Sequence, residues 1–269
     1  MGRKREKGGA GGGRPGGAER GVYLLEGRNV VLEGLRSGRE IKKILIDAGA
    51  LKGRADGKIG EIIESARGRK IPLLSTERAE LDKISETGSH QGVIAEAAPR
   101  GETSLTSLLK GTRGKKKPFI VLLGEVMYEQ NLGAILRTAE GAGVDAIVIP
   151  KRRTAPLSPT VARVSMGASE YVPLIRESTT SALSILRREG VMIFGVEAGA
   201  KLQYYEADLT GSAAFVFGGE DKSLTSTVRE RCDEIISIPL MGKIGSLNVG
   251  VSVGIVLFER VRQEGVRGG

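Results

Sequence analysis

Three short segments in the carboxyl-terminal half carry residues suited to chemistry on a polar substrate. In EVMYEQNLGAILRTAEGAG, Asn131 opens a helical pattern and Arg137 lies on the same helix. Six residues rotate a helix by about 600°, which leaves the two side chains ~120° apart, so spacing alone does not pair them. Taken singly, Asn131 fits an N-cap and Arg137 a solvated position on an otherwise apolar helix. In FGGEDKSL, Gly218 and Gly219 at a strand end permit close backbone approach to a ligand, and Glu220 follows at the strand's carboxyl edge. A plain glycine turn fits that segment as well. In SIPLMGKIGSLNVG, Pro239 ends a strand, a glycine-rich turn follows, and Ser246 is placed to cap the last helix with Asn248 in its first turn. Neither a phosphate-binding G-x-x-x-x-G-K-[ST] loop nor a G-x-G-x-x-G opening a helix is present, which removes the P-loop and dinucleotide readings. The chain has one cysteine and one histidine. Cys232 therefore has no disulfide partner, and with His90 it cannot build a four-ligand zinc site, so no metal is expected. His90, in SHQGV, reads as a structural or surface imidazole.

The elements that must position these residues fall into two units, as 269 residues allow. Residues 1–20 are rich in glycine and charge without hydrophobic periodicity, and are expected to be a disordered basic tail. That tail carries Arg3, Lys4, Arg5, Lys7, Arg14 and Arg20 against Glu6 and Glu19, about half of the net charge of +9. It serves either as a solubilising leader or as an arm seeking nucleic acid. Residues 21–97 alternate helix and strand. YLLEGRNVVLEGLRSG reads as a helix burying Leu24, Val30, Val31 and Leu35, followed by the strand IKKILIDA, the helix GKIGEIIESARG and the strands IPLLST and QGVIAEAA. Residues 98–117, bracketed by prolines, read as a linker with one helical turn at Leu105–Leu109 and exposed Lys115, Lys116 and Lys117. From residue 118 to 269 the strand candidates FIVLLGEV, AIVIP, VMIFGVEA, AAFVFGGE and EIISIPL are near-continuous apolar runs, so a mostly parallel sheet with helices on both faces is expected. The three chemistry-bearing segments lie where strands hand over to helices, the edge at which open parallel sheets place ligands. A basic chain points to a polyanionic partner. With no apolar run near the ~18–20 residues of a membrane span and no signal-like start, the expected compartment is the cytoplasm.

Taken in order, the segments resemble the signature motifs of the SpoU/TrmH family of RNA 2′-O-ribose methyltransferases. Asn131-Leu-Gly-Ala-Ile-Leu-Arg137-Thr-Ala resembles the first motif, Gly218-Gly-Glu220 the second, and Ile238-Pro-Leu-Met-Gly with Ser246-Leu-Asn248-Val the third. VSMGASEYVPLIR resembles the family's intermediate Ser-x-Gly-Ala segment. EGRNVVLEGL and SHQGVIA resemble the start and end of a small front domain similar to kink-turn-binding ribosomal proteins. Gly250 departs from a usual Ser, and Leu240 from a common Met.

The resemblance implies a trefoil-knotted (SPOUT) carboxyl-terminal domain, a homodimer and S-adenosyl-L-methionine as cofactor. By position in the motifs, Gly218, Ile238 and Leu247 would contact the cofactor. Arg137 would pin the substrate phosphate and stabilise a developing alkoxide, oriented with the ribose by Asn131, Glu220, Ser246 and Asn248. The implied substrate is a guanosine in 23S rRNA, with no DNA or membrane partner. Three alternatives are weighed against it: a tRNA substrate, a non-catalytic RNA-binding protein with a decayed domain, and a knotted enzyme that modifies a base. The intact residue set argues against the decayed domain, and the Asn131/Arg137 motif argues against base modification.

Overall fold

A computed structural model describes residues 21–52, 57–114, 116–219 and 223–267. The expected tail at 1–20, the exposure of Lys115 and the placement of Glu220 lie outside the described residues.

The front unit contains β1 (Tyr23–Glu26), α1 (Arg28–Arg36), β2 (Ile41–Asp47), α2 (Ala48–Lys52), α3 (Lys58–Gly68), β3 (Leu73–Thr76), α4 (Arg78–Ile84) and β4 (Val93–Ala97). Its sheet runs β1-β4-β2-β3, with β4 antiparallel to both neighbours and β2 parallel to β3. One sequence expectation is corrected here. Tyr23–Gly38 is a strand and then a helix, divided at Gly27, whose φ of 94° is one that glycine adopts without strain. Leu24 accordingly leaves the helix face. It packs with Leu45, Leu81 and Ile94, whereas its neighbour Leu25 joins Val30, Val31 and Leu35 on the other side of the sheet. That alternation is the period of a strand.

The expected linker contains α5 (Leu105–Thr112), capped by the Ser104 hydroxyl, which accepts from Ser107 N. It is two turns rather than one. Leu105 and Leu109 are buried in a core shared with Leu183 and Leu186, so this stretch belongs physically to the second sheet. The apolar i, i+4 pair makes burial of that helix more favourable than exposure.

The second unit comprises β5 (Phe119–Leu123), α6 (Glu129–Gly141), β6 (Ala146–Ile149), α7 (Pro159–Val164), a 3-10 turn (Ala168–Glu170), β7 (Leu174–Arg176), α8 (Thr179–Arg188), β8 (Met192–Val196), β9 (Leu202–Gln203), β10 (Ala213–Phe217), α9 (Ser226–Arg229), β11 (Glu234–Ser237) and α10 (Val249–Arg267). The seven strands run β7-β6-β5-β10-β8-β11-β9, every pair parallel. Phe119, Val121 and Leu123 face one core beneath α6 and α10, and Ile120 and Leu122 face the other with α5 and α8. Burial on both faces is why these strands read as unbroken apolar runs.

The two units meet at α7 and the 3-10 turn. Ala162 of α7 is buried in the front core. A Cβ on Gly167 would lie 2.7 Å from that of Glu33, and φ there is 91°. Tyr171 Oη donates to Glu33 Oε2 at 2.6 Å, and the Arg100 guanidinium donates to the Ser169 and Glu170 carbonyls. On its other side, α7 receives α6 at Gly133, where a Cβ would fall 2.6 Å from Val164 Cβ.

Candidate active site

A cavity of about 400 Å³ opens at the carboxyl ends of β8, β10 and β11. Its apolar walls come from Phe217, Ile238, Leu240, Leu247 and Val249. The Gly218–Gly219 backbone supplies peptide groups, and Glu197, Ser223, Ser246 and Ser252 add polar side chains. The three residues assigned to the cofactor, Gly218, Ile238 and Leu247, thus share one cavity with Ser246. The loop at Gly218 runs against the end of β5: Gly124 N donates to the Phe217 carbonyl at 3.0 Å, and a Cβ on Gly124 would meet Gly219 N at 2.6 Å. Only glycine fits that crossing.

Asn248 ties the cavity rim to the first signature motif. Its Oδ1 accepts from Gly250 N at 2.9 Å, and its carbonyl accepts from Ser252 N, so Asn248 occupies the N-cap of α10. Its Nδ2 donates to Asn131 Oδ1 at 3.2 Å. This corrects two expectations. Ser246 is not the cap but an exposed loop residue on the cavity wall, and Asn248 precedes the helix rather than sitting in its first turn. Asn131 is likewise no cap, because α6 begins at Glu129 with Tyr128 in the capping position. A Cβ at Gly250 would approach Asn248 Oδ1 to 3.2 Å, so glycine relieves crowding around that cap.

Arg137 is exposed on α6 and does not line the cavity. Six residues of helix carry it ~9 Å along the axis from Asn131. The site is therefore laid out as a cofactor-sized cavity, an Asn248–Asn131 bridge, and a cation further along the same helix.

Sequence reasoning missed Gly124, Glu197, Ser223 and Ser252. Glu197 lies at the end of β8, its carboxylate 2.6 Å from the Arg229 guanidinium. A lone Glu or Ser after a strand has no signature, whereas the glycine in FIVLLGEV was visible as a break in an apolar run. His90 is structural: it is buried, its Nε2 lies 2.8 Å from Asp82 Oδ1, and Nδ1 accepts from Gly92 N. Burial pushes the Cys232 thiol up to about 11, with Asp233 adding to the effect. Among the described residues no cluster could hold a metal ion, and no helix is long and apolar enough to cross a membrane.

Residues 118–258 match the SpoU rRNA Methylase family, and residues 24–103 match a domain described as RNA 2′-O ribose methyltransferase substrate binding. The chain is 38% identical over 243 residues to the 23S rRNA (guanosine-2′-O-)-methyltransferase RlmB of Escherichia coli (strain K12), covering 90% of this chain and 98% of that one. A crystal structure of an RNA 2′-O ribose methyltransferase superposes with a TM-score of 0.76 at 27% identity, covering 90% of this chain and 89% of the other. The fold is also shared with the SpoU methyltransferase AviRb from Streptomyces viridochromogenes, solved in complex with AdoMet (TM-score 0.74, 20% identity, 91% and 92% covered). With both units matched, and with Gly218, Ile238, Ser246 and Leu247 on one cavity, the chain belongs to the SpoU rRNA methylase family.

Proposed function

We propose that this chain transfers a methyl group from S-adenosyl-L-methionine to the ribose 2′-hydroxyl of a guanosine in 23S rRNA. The observation that carries this reading is the cavity that unites Gly218, Ile238, Leu247 and Ser246 and connects through Asn248 to Asn131. Its chemistry suits the cofactor. An adenine needs an apolar slot and peptide partners, which Phe217, Ile238 and Leu247 and the Gly218–Gly219 backbone supply. The volume falls within the range of pockets for small ligands.

When bound, the cofactor supplies an electrophilic methyl group; the protein's task is position and proton removal. Arg137 holds the substrate phosphate and stabilises negative charge growing on the 2′-oxygen. The 2′-hydroxyl proton leaves as the oxygen takes the methyl group and passes to solvent water. Asn131, Ser246 and Asn248, with Glu220, orient the ribose and the arginine by hydrogen bonds. Residues 21–97 read the RNA, 98–117 connect, and 118–269 perform the transfer. The passage of the chain from β11, beyond β8 and β10, back to α10 on α6 supports the knotted path. Exposed Val251, Phe258 and Val261 on α10 support a homodimer, and a ribosomal substrate fits the cytoplasm.

Purified protein offered labelled cofactor with protein-free 23S rRNA, 16S rRNA and bulk tRNA in parallel should label 23S rRNA alone, at a ribose. Label confined to tRNA would replace the substrate and leave the reaction in place. No label in any RNA would reject the enzyme.

A further inference from the structure

Beside the cavity, two loops at the same sheet edge form a surface that the reaction as described does not use. The turn after β6 is built with care. Arg153 takes a left-handed φ of 58°, uncommon for a residue with a side chain, and Thr154 Oγ1 donates to the Pro150 carbonyl at 2.7 Å. Three bonds fasten this segment to the loop that enters α6: Arg153 Nη1 to Glu125 Oε1 at 2.8 Å, Ala155 N to the Val126 carbonyl at 2.8 Å, and Ser158 Oγ to Glu129 Oε1 at 2.5 Å. The carboxylates of Glu125, in the loop, and Glu129, at the start of α6, are thereby engaged. Lys151 and Arg152 remain exposed, and neither makes an ion pair among the described residues.

Between Val126 and Glu129 in the chain stands Tyr128, 61% exposed, next to Met127 at 56%. Tyr128 stands in the N-cap position of α6 and makes no side-chain capping bond, although Ser, Thr, Asn or Asp would stabilise the helix there. An aromatic ring left in water at a position that favours a small polar residue, on a loop bonded to the turn that carries Lys151 and Arg152, has the composition of a surface for single-stranded nucleic acid. It is also in the right place. β5 neighbours β10, whose end carries Gly218, and β6 comes next, so the turn lies two strand spacings, about 10 Å, from the cavity edge.

We infer that Tyr128, Lys151 and Arg152 form an RNA-contact surface on the catalytic domain itself. Tyr128 stacks on an unpaired base beside the acceptor nucleotide, and the two cations take flanking phosphates. This rests on the proposal that the substrate is RNA. It assigns the catalytic unit a grip of its own, separate from that of the front domain, because unstacked loop bases must be held where the reaction occurs.

The test compares the full chain with K151A/R152A, Tyr128→Ala and Tyr128→Phe. Filter binding to protein-free 23S rRNA over a salt series, methyl-transfer kinetics and calorimetry with S-adenosylmethionine provide the readouts. Loss of two phosphate contacts on a single strand should flatten the slope of log affinity against log salt by roughly 1.4 in K151A/R152A. Tyr128→Ala should raise KM for RNA about tenfold, as expected for one lost stacking contact, and Tyr128→Phe should stay near wild type. Cofactor affinity should be unchanged in all three variants, which also establishes that α6 and the cavity remain folded. A wild-type salt slope in K151A/R152A, or an unchanged KM in Tyr128→Ala, overturns the inference. A Phe variant as impaired as Ala overturns stacking. If the wild-type chain labels tRNA instead, the substrate proposal fails, and the same variants measured on tRNA decide this surface independently.

Discussion

Asn248 carries two duties on one side chain. Its oxygen caps α10 and its nitrogen reaches Asn131, so the helix that closes the site and the helix that bears Arg137 are held at one point. A lost cap typically costs about 1 kcal/mol. Arg137 differs in kind, since it is exposed and lies outside the cavity. Arg137→Ala should therefore change stability by no more than about 0.5 kcal/mol. It should leave cofactor affinity at the wild-type value and remove most methyl transfer, as calorimetry and a tritium-transfer assay would measure. Wild-type turnover would remove Arg137 from the mechanism. At this scale the sequence was informative where residues formed ordered motifs: Gly218, Ile238, Ser246 and Leu247 meet at the cavity. It was silent on Glu197, Ser223 and Ser252, because their membership depends on which strand ends are neighbours, and strand order is not written in any local pattern.

Elements with one strong period were legible, and elements joined without a visible break were not. The five long strands of the second sheet stood out because both of their faces are buried. β7 and β9, of three and two residues, are edge strands too short to carry a pattern. β1 and α1 were merged because apolar residues continue through Gly27. The consequence of separating them concerns Tyr23, on β1 at the junction between the units. Its hydroxyl is buried without a hydrogen-bond partner among the described residues, and Arg39 lies 5.5 Å from its ring centroid. Burial, reinforced by Glu170, holds the phenol well above its ordinary value of 10.0. Burial and the bond to Glu33 hold Tyr171 up at about 12. Below pH 10 both rings are neutral in folded and unfolded chains, and their contribution is complete. Above pH 10 the unfolded chain ionises first, so stability falls as pH rises. Cys232 acts in the same direction from its ordinary value of 9.0. Tyr23→Phe, which sacrifices no hydrogen bond, should match or exceed wild-type stability at pH 8 and lose less of it between pH 10 and 11. Thermal melts followed by circular dichroism would measure both. A lower melting temperature at pH 8 would show that the hydroxyl has a partner.

Across the whole molecule, the front unit and α6 rest on the same small platform. Glu33 lies against Gly167 on one side of α7 and its 3-10 turn, and Gly133 lies against Val164 on the other. Arg39 stands 3.7 Å from the buried carboxylate of Glu170, and Arg100 caps two carbonyls of the same turn. Removing residues 21–97 should accordingly abolish transfer to 23S rRNA while sparing cofactor binding, measured by calorimetry on a truncated chain that circular dichroism shows to be folded. Full activity without that unit would end its role as the reader. The shared platform has a further consequence. Two contacts that admit no Cβ, one on each side, leave little slack between the front unit and the helix that carries Arg137. With the roles proposed above, the protein works as a caliper: what qualifies a nucleotide is its span from the recognised fold of the RNA as much as the identity of its base.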